Sequence, residues 1–280
     1  MNYIACIVAV CPIRKEASHT SEMVSQMLFG EFAEVLEVQK LFTKVRCLYD
    51  DYIGWCQNSQ LTETDTPLLP AKKLYSIDFI SSITLNTTDL HISMSSPILA
   101  IEGKSQLGNF SVDYKNCNTW DSDIVPSAEL FKEIAIKYIN VPYLWGGRSV
   151  FGIDCSGFSQ QVYKMLGIHL PRDAYQQAEQ GEEVSFLQQG ECGDLAFFDN
   201  EEGKITHVGI LLNSTEIIHA SGRVRIDKID NAGIINSETG QRTHKLRVIK
   251  RYTNKNPVLV RTGLYELTVF KSNRALKQSK

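Results

Sequence analysis

One cysteine before a helix and two histidines on strand-like runs are the residues in this sequence best placed to do chemistry. Cys155 stands in Tyr143-Leu-Trp-Gly-Gly-Arg-Ser-Val-Phe-Gly-Ile-Asp-Cys-Ser-Gly-Phe158, where glycines and polar residues lead into a helix expected to begin at Ser156. Free N–H groups and the helix dipole at such a start favour negative charge, which lowers a thiol pKa and enriches the thiolate. The same N–H groups can receive a developing oxyanion. A thiol there can equally be a small apolar residue packed under the helix. A nucleophile needs a base, and His207 heads the run His207-Val-Gly-Ile-Leu-Leu212. Strand alternation sets its imidazole opposite Val208, Ile210 and Leu212, away from the face they bury and toward the Cys155 helix. His219, in Glu216-Ile-Ile-His-Ala-Ser-Gly222, can hold the far nitrogen of His207 as the third member of a triad does. Taken singly, either histidine also reads as a structural residue.

The elements that must position these groups fall into two compositional halves. Up to about residue 123 the chain consists of short β-type runs, among them Ile4 to Val10, Ala33 to Val38, Thr43 to Cys47 and Ile53 to Cys56, broken by turn clusters such as Asp50-Asp51 and Asn86-Thr87-Thr88-Asp89. That is the pattern of small all-β barrels, and two fit, with a linker expected around Thr62 to Pro70. From Ser127, helical spacing of Leu130, Ile134, Ala135 and Tyr138 opens another kind of domain. A second helix follows, with Phe158, Val162 and Met165 on one face and Gly167 as its stop. Then strands are expected at Leu195 to Phe198, His207 to Asn213, Glu216 to Ala220 and Arg247 to Arg251. Helices followed by an antiparallel sheet make an α+β domain.

At 280 residues the chain has room for about two or three domains. A formal net charge of -3 argues against a concentrated positive surface of the kind that binds nucleic acid, the basic tail being the one local exception. No stretch reaches the roughly 20 apolar residues of a spanning helix, so no membrane partner is expected. The seven cysteines form no C-x-x-C pair, which disfavours a disulfide or zinc framework. Only Ile4 to Val10 is apolar at the start, without a preceding basic residue, so the reading is a cytoplasmic protein.

The segments together resemble the NlpC family of papain-like cell-wall cysteine peptidases. The resemblance rests on Tyr143-Leu-Trp-Gly-Gly147, Gly152-Ile-Asp-Cys-Ser-Gly-Phe158, Leu170-Pro-Arg-Asp173, Gly193-Asp-Leu195, His207-Val-Gly-Ile210 and Ile218-His-Ala-Ser221, all in the expected order. It implies Cys155 as nucleophile, His207 as base, His219 as orienting residue and Tyr143 as an oxyanion donor beside the Cys155 N–H. Through Gly30-Glu31 and Asp51-Tyr-Ile-Gly-Trp55 the first half resembles the tandem bacterial SH3-like domains of one branch, which close one end of the cleft. The organisation implied is a multidomain chain: two N-terminal all-β SH3-like barrels (1–62 and 63–123), an α+β papain-like catalytic domain (124–252) and a basic tail (253–280). That branch holds the free N-terminal amine of its substrate on acidic and phenolic groups, positions matched here by Glu31, Tyr52 and Asp173. Trp145 would line the groove. Asp154 and Ser156 would bind the substrate backbone or its glutamate carboxylate.

The implied activity is a cysteine-type dipeptidyl peptidase that hydrolyses the γ-D-glutamyl-L-diamino acid bond of murein peptides with a free N-terminal L-Ala. It would release L-Ala-γ-D-Glu in wall-peptide recycling, with no cofactor or metal and a small murein peptide as partner; the oligomeric state is left open, with a monomer favoured. Three rivals share these residues: an inactive wall-peptide-binding module, a general wall endopeptidase, and an acyltransferase using the same nucleophile. A zinc site from Cys155, His207 and His219 with a water is the fourth.

Overall fold

The computed structural model describes residues 3–68, 73–100 and 103–252. The first unit is a seven-stranded antiparallel sheet, ordered Met23–Leu28, Val10–Arg14, Ile53–Gln57, Phe42–Cys47, Phe32–Val38, Tyr3–Cys6, Leu61–Thr64. Alternation drives it: Cys11 and Ile13 turn inward from one strand and meet Ile4, Cys6, Met27, Val45 and Cys56 in a common core. Thr62 to Thr64, expected in a linker, pair with Tyr3 to Ala5 as the last strand, so the first unit runs to Thr64.

The second unit carries a four-stranded sheet, ordered Thr88–Ser93, Ile80–Leu85, Phe110–Asp113, Lys104–Leu107, and a separate pair of Leu74–Ser76 with Thr119–Asp121. The unit is all β, but its described strands do not close into one barrel sheet. Its core of Ile83, Ile92, Leu107 and Val112 is continuous with Phe29 and Phe32 of the first unit, which binds the two units through one apolar cluster.

The third unit begins with α1 (Ala128–Ile136), capped by the Ser127 hydroxyl on the Leu130 N–H. Next come α2 (Cys155–Met165) and the short α3 (Ala174–Ala178). The sheet follows in the order Glu182–Glu183, Arg242–Arg251, Leu195–Asp199, Ile205–Asn213, Glu216–Ser221, Arg223–Asp230, Gly233–Ile235, and the last strand pairs back to Arg242–Arg251. Closure gives this sheet two buried faces. Phe197, Val208, Ile210, Ile218 and Ala220 pack against Phe158, Val162 and Tyr163 of α2, while Phe198, Leu211, Ile217, Ile229, Ile234 and Ile249 fill the inside of the curl. The strands Arg223–Asp230 and Gly233–Ile235 were not anticipated, because charged residues crowd the first and the second is only three residues long. The expected basic tail lies outside the described residues. Among the described residues no helix is long and apolar enough to cross a membrane.

All eleven residues of α2 are buried, including Gln160, Gln161 and Lys164. The apolar face meets the sheet, and the polar face is covered by the N-terminal units. Gln160 donates to Asp50 Oδ2 at 3.0 Å, Gln161 pairs with the Ser95 hydroxyl at 2.7 Å, and Lys164 reaches Glu31 at 2.7 Å. Both N-terminal units therefore grip the helix that begins at Cys155.

Candidate active site

The helix start that presents Cys155 is organised by Asp154. Its carboxylate accepts the Gly157 N–H at 2.7 Å and the Gly146 N–H at 2.9 Å. It also pairs with both ends of the buried Arg172 guanidinium at 3.0 and 2.6 Å. Ser156 Oγ joins this network, accepting from Arg172 at 2.9 Å and donating to Asp154 at 3.3 Å. Both side chains are buried. Their polar atoms are engaged in holding the helix of Cys155 to Arg172. Glycine is required at Gly146, whose φ is +76° and where a Cβ would stand 2.6 Å from the Met23 carbonyl oxygen.

The Cys155 thiol lies within reach of the Val208 N–H, one residue along from His207. Burial, then Asp154, pushes the thiol up to about 12, and the Val208 N–H, Arg172 and the Ser156 N–H offset this only in part. The ready thiolate expected from the helix dipole alone is therefore not the resting form. Burial also holds the His207 imidazolium well below its ordinary range, and His219 and His244 add to the effect. The resting pair is a thiol and a neutral imidazole. Tyr143 is half-buried, and burial followed by the Cys155 charge raises its phenol, so it stays protonated beside the sulfur.

The direction expected for His207 also needs correction. Val208 and Ile210 share the helix-side cluster with Cys155, and His207 emerges on the other face, against Phe198, His219 and His244. Alternation told the two sets apart, but a closed sheet buries both faces. His207 Nε2 meets His219 Nδ1 at 2.8 Å. Two residues went unnoticed in the sequence. Asp227 Oδ2 lies 3.1 Å from His219 Nε2, and His244 stacks on His207 with ring centres 4.1 Å apart and planes 23° apart. The alternation of Arg223-Val-Arg-Ile226 was the available signal for the strand that carries Asp227.

His207, His219 and His244 bring ring nitrogens within 4.8 Å of one another, the group among the described residues that could hold a metal. Cys155 is not in that set. The stacked rings of His207 and His244 direct their in-plane lone pairs along near-parallel planes, so coordination of one ion would need a ring to turn.

The other end of the site is made by the first unit. Trp145, 60% exposed, donates its indole N–H to Glu22 at 2.9 Å, and the Arg148 N–H donates to Gln26 at 2.7 Å. Tyr52 is half-buried beside Asp173, and burial followed by the Asp173 charge raises its phenol. Asp173 opens α3, where its N–H meets the Gln176 side chain at 3.2 Å. Burial raises the Asp173 carboxyl and the charges of Asp154 and Asp50 add to this, with Arg172 opposing. Glu31 is elsewhere engaged. It is 7% exposed and bound by Arg148 at 3.0 and 3.2 Å and by Lys164 at 2.7 Å. Both of its carboxylate oxygens are engaged with these two buried cations.

Residues 140–243 match the NlpC/P60 family, and residues 13–61 match the bacterial dipeptidyl-peptidase Sh3 domain. The chain is 42% identical over 107 residues to a γ-D-glutamyl-L-lysine dipeptidyl-peptidase of Bacillus subtilis, a match covering 35% of this chain and 36% of that protein. It is 28% identical over 258 residues to the protein of the same description from Bacillus cereus, covering 81% of this chain and 77% of the relative. A crystal structure of an NlpC/P60 family protein from Bacillus cereus superposes with a TM-score of 0.76 at 20% identity, over 90% of this chain and 99% of that one, and shares its fold.

Proposed function

For a chain that carries an NlpC/P60 domain behind a bacterial dipeptidyl-peptidase Sh3 domain, we propose a cysteine peptidase that hydrolyses the γ-D-glutamyl-L-diamino acid bond of murein peptides bearing a free N-terminal L-Ala. The observation that carries the reading is the Cys155 thiol at the α2 start within reach of the Val208 N–H, the residue next to His207, whose imidazole is paired with that of His219. His207 takes the thiol proton as sulfur attacks the γ-carbonyl. The oxyanion that forms meets the Cys155 N–H and the Tyr143 hydroxyl. The proton passes from His207 to the leaving amine of the diamino acid, and water, deprotonated by the same imidazole, releases L-Ala-γ-D-Glu from the thioester.

Specificity for a free amine is supported by Asp173 and Tyr52. The Asp173 carboxyl is raised by burial and by neighbouring carboxylates, a cost that an incoming ammonium relieves. Truncating one partner of a buried, hydrogen-bonded charge pair costs roughly 2–5 kcal/mol, about 30-fold or more in specificity at about 1.4 kcal/mol per tenfold. The expected result is a kcat/KM at least about 30-fold higher for L-Ala-γ-D-Glu-L-diamino acid than for its N-acetyl derivative, with the ratio reduced in Asp173→Asn. Similar rates on both peptides would make the protein a general wall endopeptidase. A product adduct with an added amine would make it an acyltransferase, and no reaction a binding module. Cys11 contacts both Cys6 and Cys56, and action on imported fragments in a reducing cytoplasm, the location that belongs to this reading, would keep these thiols unpaired. Recovery of a Cys6–Cys11 disulfide from cells would count against that location.

A further inference from the structure

We propose that Asp227 is a positioning residue that fixes which nitrogen of His207 is free to take the thiol proton. The inference rests on the peptidase reading and follows hydrogen by hydrogen through three side chains. Asp227 is 2% exposed. One carboxylate oxygen accepts the Ser237 N–H at 2.8 Å and an Arg225 N–H at 3.1 Å. The other faces His219 Nε2 at 3.1 Å, with Arg225 Nε 2.9 Å away. Burial works against the ionised form, but these donors hold the carboxyl far below its usual range, so it has no proton to give.

His219 Nε2 must then carry the hydrogen. A neutral imidazole with hydrogen on Nε2 has a bare lone pair on Nδ1, and that lone pair lies 2.8 Å from His207 Nε2. His207 Nε2 is thereby made the donor, and Nδ1 is left bare as the basic atom. One carboxylate, two histidines away from the sulfur, decides the tautomer of the base. The order Asp227, His219, His207 runs across adjacent strands on one face of the sheet, since Ile217 pairs with Asp227 and Gly209 with His219.

Asp227→Asn tests this with little change in shape. The amide oxygen can keep the Ser237 N–H, while the amide nitrogen would donate to His219 Nε2. That drives hydrogen to His219 Nδ1, turns His207 Nε2 into an acceptor and places the His207 hydrogen on Nδ1, where it blocks the base. A like change in a Ser-His-Asp triad costs about 10⁴-fold in kcat. A loss of roughly 10²- to 10⁴-fold is expected here, in kcat rather than KM. Two readouts separate positioning from mere support of the fold. Nitrogen-15 NMR of the wild type should show His219 and His207 both protonated on Nε2, and the variant both protonated on Nδ1. The rate of Cys155 alkylation by iodoacetamide near neutral pH, which needs no peptide substrate, should fall with kcat. Wild-type protein with hydrogen on His207 Nδ1 overturns the proposal without any variant. So does a folded Asp227→Asn protein with unchanged tautomers and alkylation rate. If the tautomers and alkylation respond but wild type cleaves no murein peptide, the peptidase reading alone fails.

Discussion

Cys155 and His207 rest uncharged because each is buried: Asp154 adds to the cost of the thiolate against the partial relief of the Val208 N–H, Arg172 and the Ser156 N–H, and His219 and His244 both add to the cost of the imidazolium. Sulfur becomes nucleophilic only as its proton leaves, so in the proposed mechanism His207 acts as a general base during attack. His207 must be neutral to accept that proton, and its pKa lies well below the ordinary 6.5. Activity should therefore survive as pH falls through 6.5, and the acid limb of kcat/KM should appear only well beneath it. The rings packed against His207 are those of His219, His244 and Phe198, none of them anionic. An acid limb at 6.5 or higher would show that an ion pair with the thiolate, and not the neutral pair, is the reacting state. Cys155→Ala should abolish turnover while leaving the denaturation midpoint within about 1 kcal/mol of wild type, since a small buried atom is removed at a helix end.

At the scale of the element, α2 is both the support of the nucleophile and the piece that every unit touches. Its first turn depends on Asp154, which combines a helix cap with a buried ion pair to Arg172. A cap alone is worth about 1 kcal/mol, whereas removing one partner of a buried pair leaves an uncompensated charge and costs about 3–5 kcal/mol. Asp154→Ala should thus lose about 3–5 kcal/mol in a urea titration, and activity with it, because Gly146 and Gly157 lose their acceptor together. A loss near 1 kcal/mol would mean that Arg172 finds another partner or reaches water.

Across the whole molecule, Glu31 fastens the first unit to the catalytic one through Arg148 and Lys164. Burial alone would raise its carboxyl, but the two cations outweigh it and bring it to about 2 from 4.5. A carboxylate depressed in the folded state contributes stability above its unfolded pKa and loses it as pH falls through the folded one. Stability should therefore decline between about pH 4.5 and 2 in wild type, and this part of the decline should be missing in Glu31→Gln. Glu31→Ala should cost about 3–5 kcal/mol near neutral pH by leaving two buried cations short of their anion. A neutral effect on the thermal midpoint would show that the units are held by the shared apolar core around Phe29 and Phe32 and not by this cluster.

Local chemistry made some features legible in the sequence. Asp154-Cys155-Ser156 before an amphipathic run placed the nucleophile on a helix start, because caps and helical periodicity act over four residues. Period-two patterning gave the strands of His207 and His219 for the same reason. Features set by contacts between distant residues were not legible. Gln160, Gln161 and Lys164 look like a solvated helix face until both N-terminal units cover them. Glu31 looks like an acidic group for a ligand until Arg148 and Lys164, more than a hundred residues away, reach it. Asp227 joins the site through the pairing of its strand with that of His219, and His244 joins it on the returning strand that closes the sheet. A sequence specifies each residue's preferences, but burial, and with it the pKa and partner of every ionisable group here, exists only once the three units have packed.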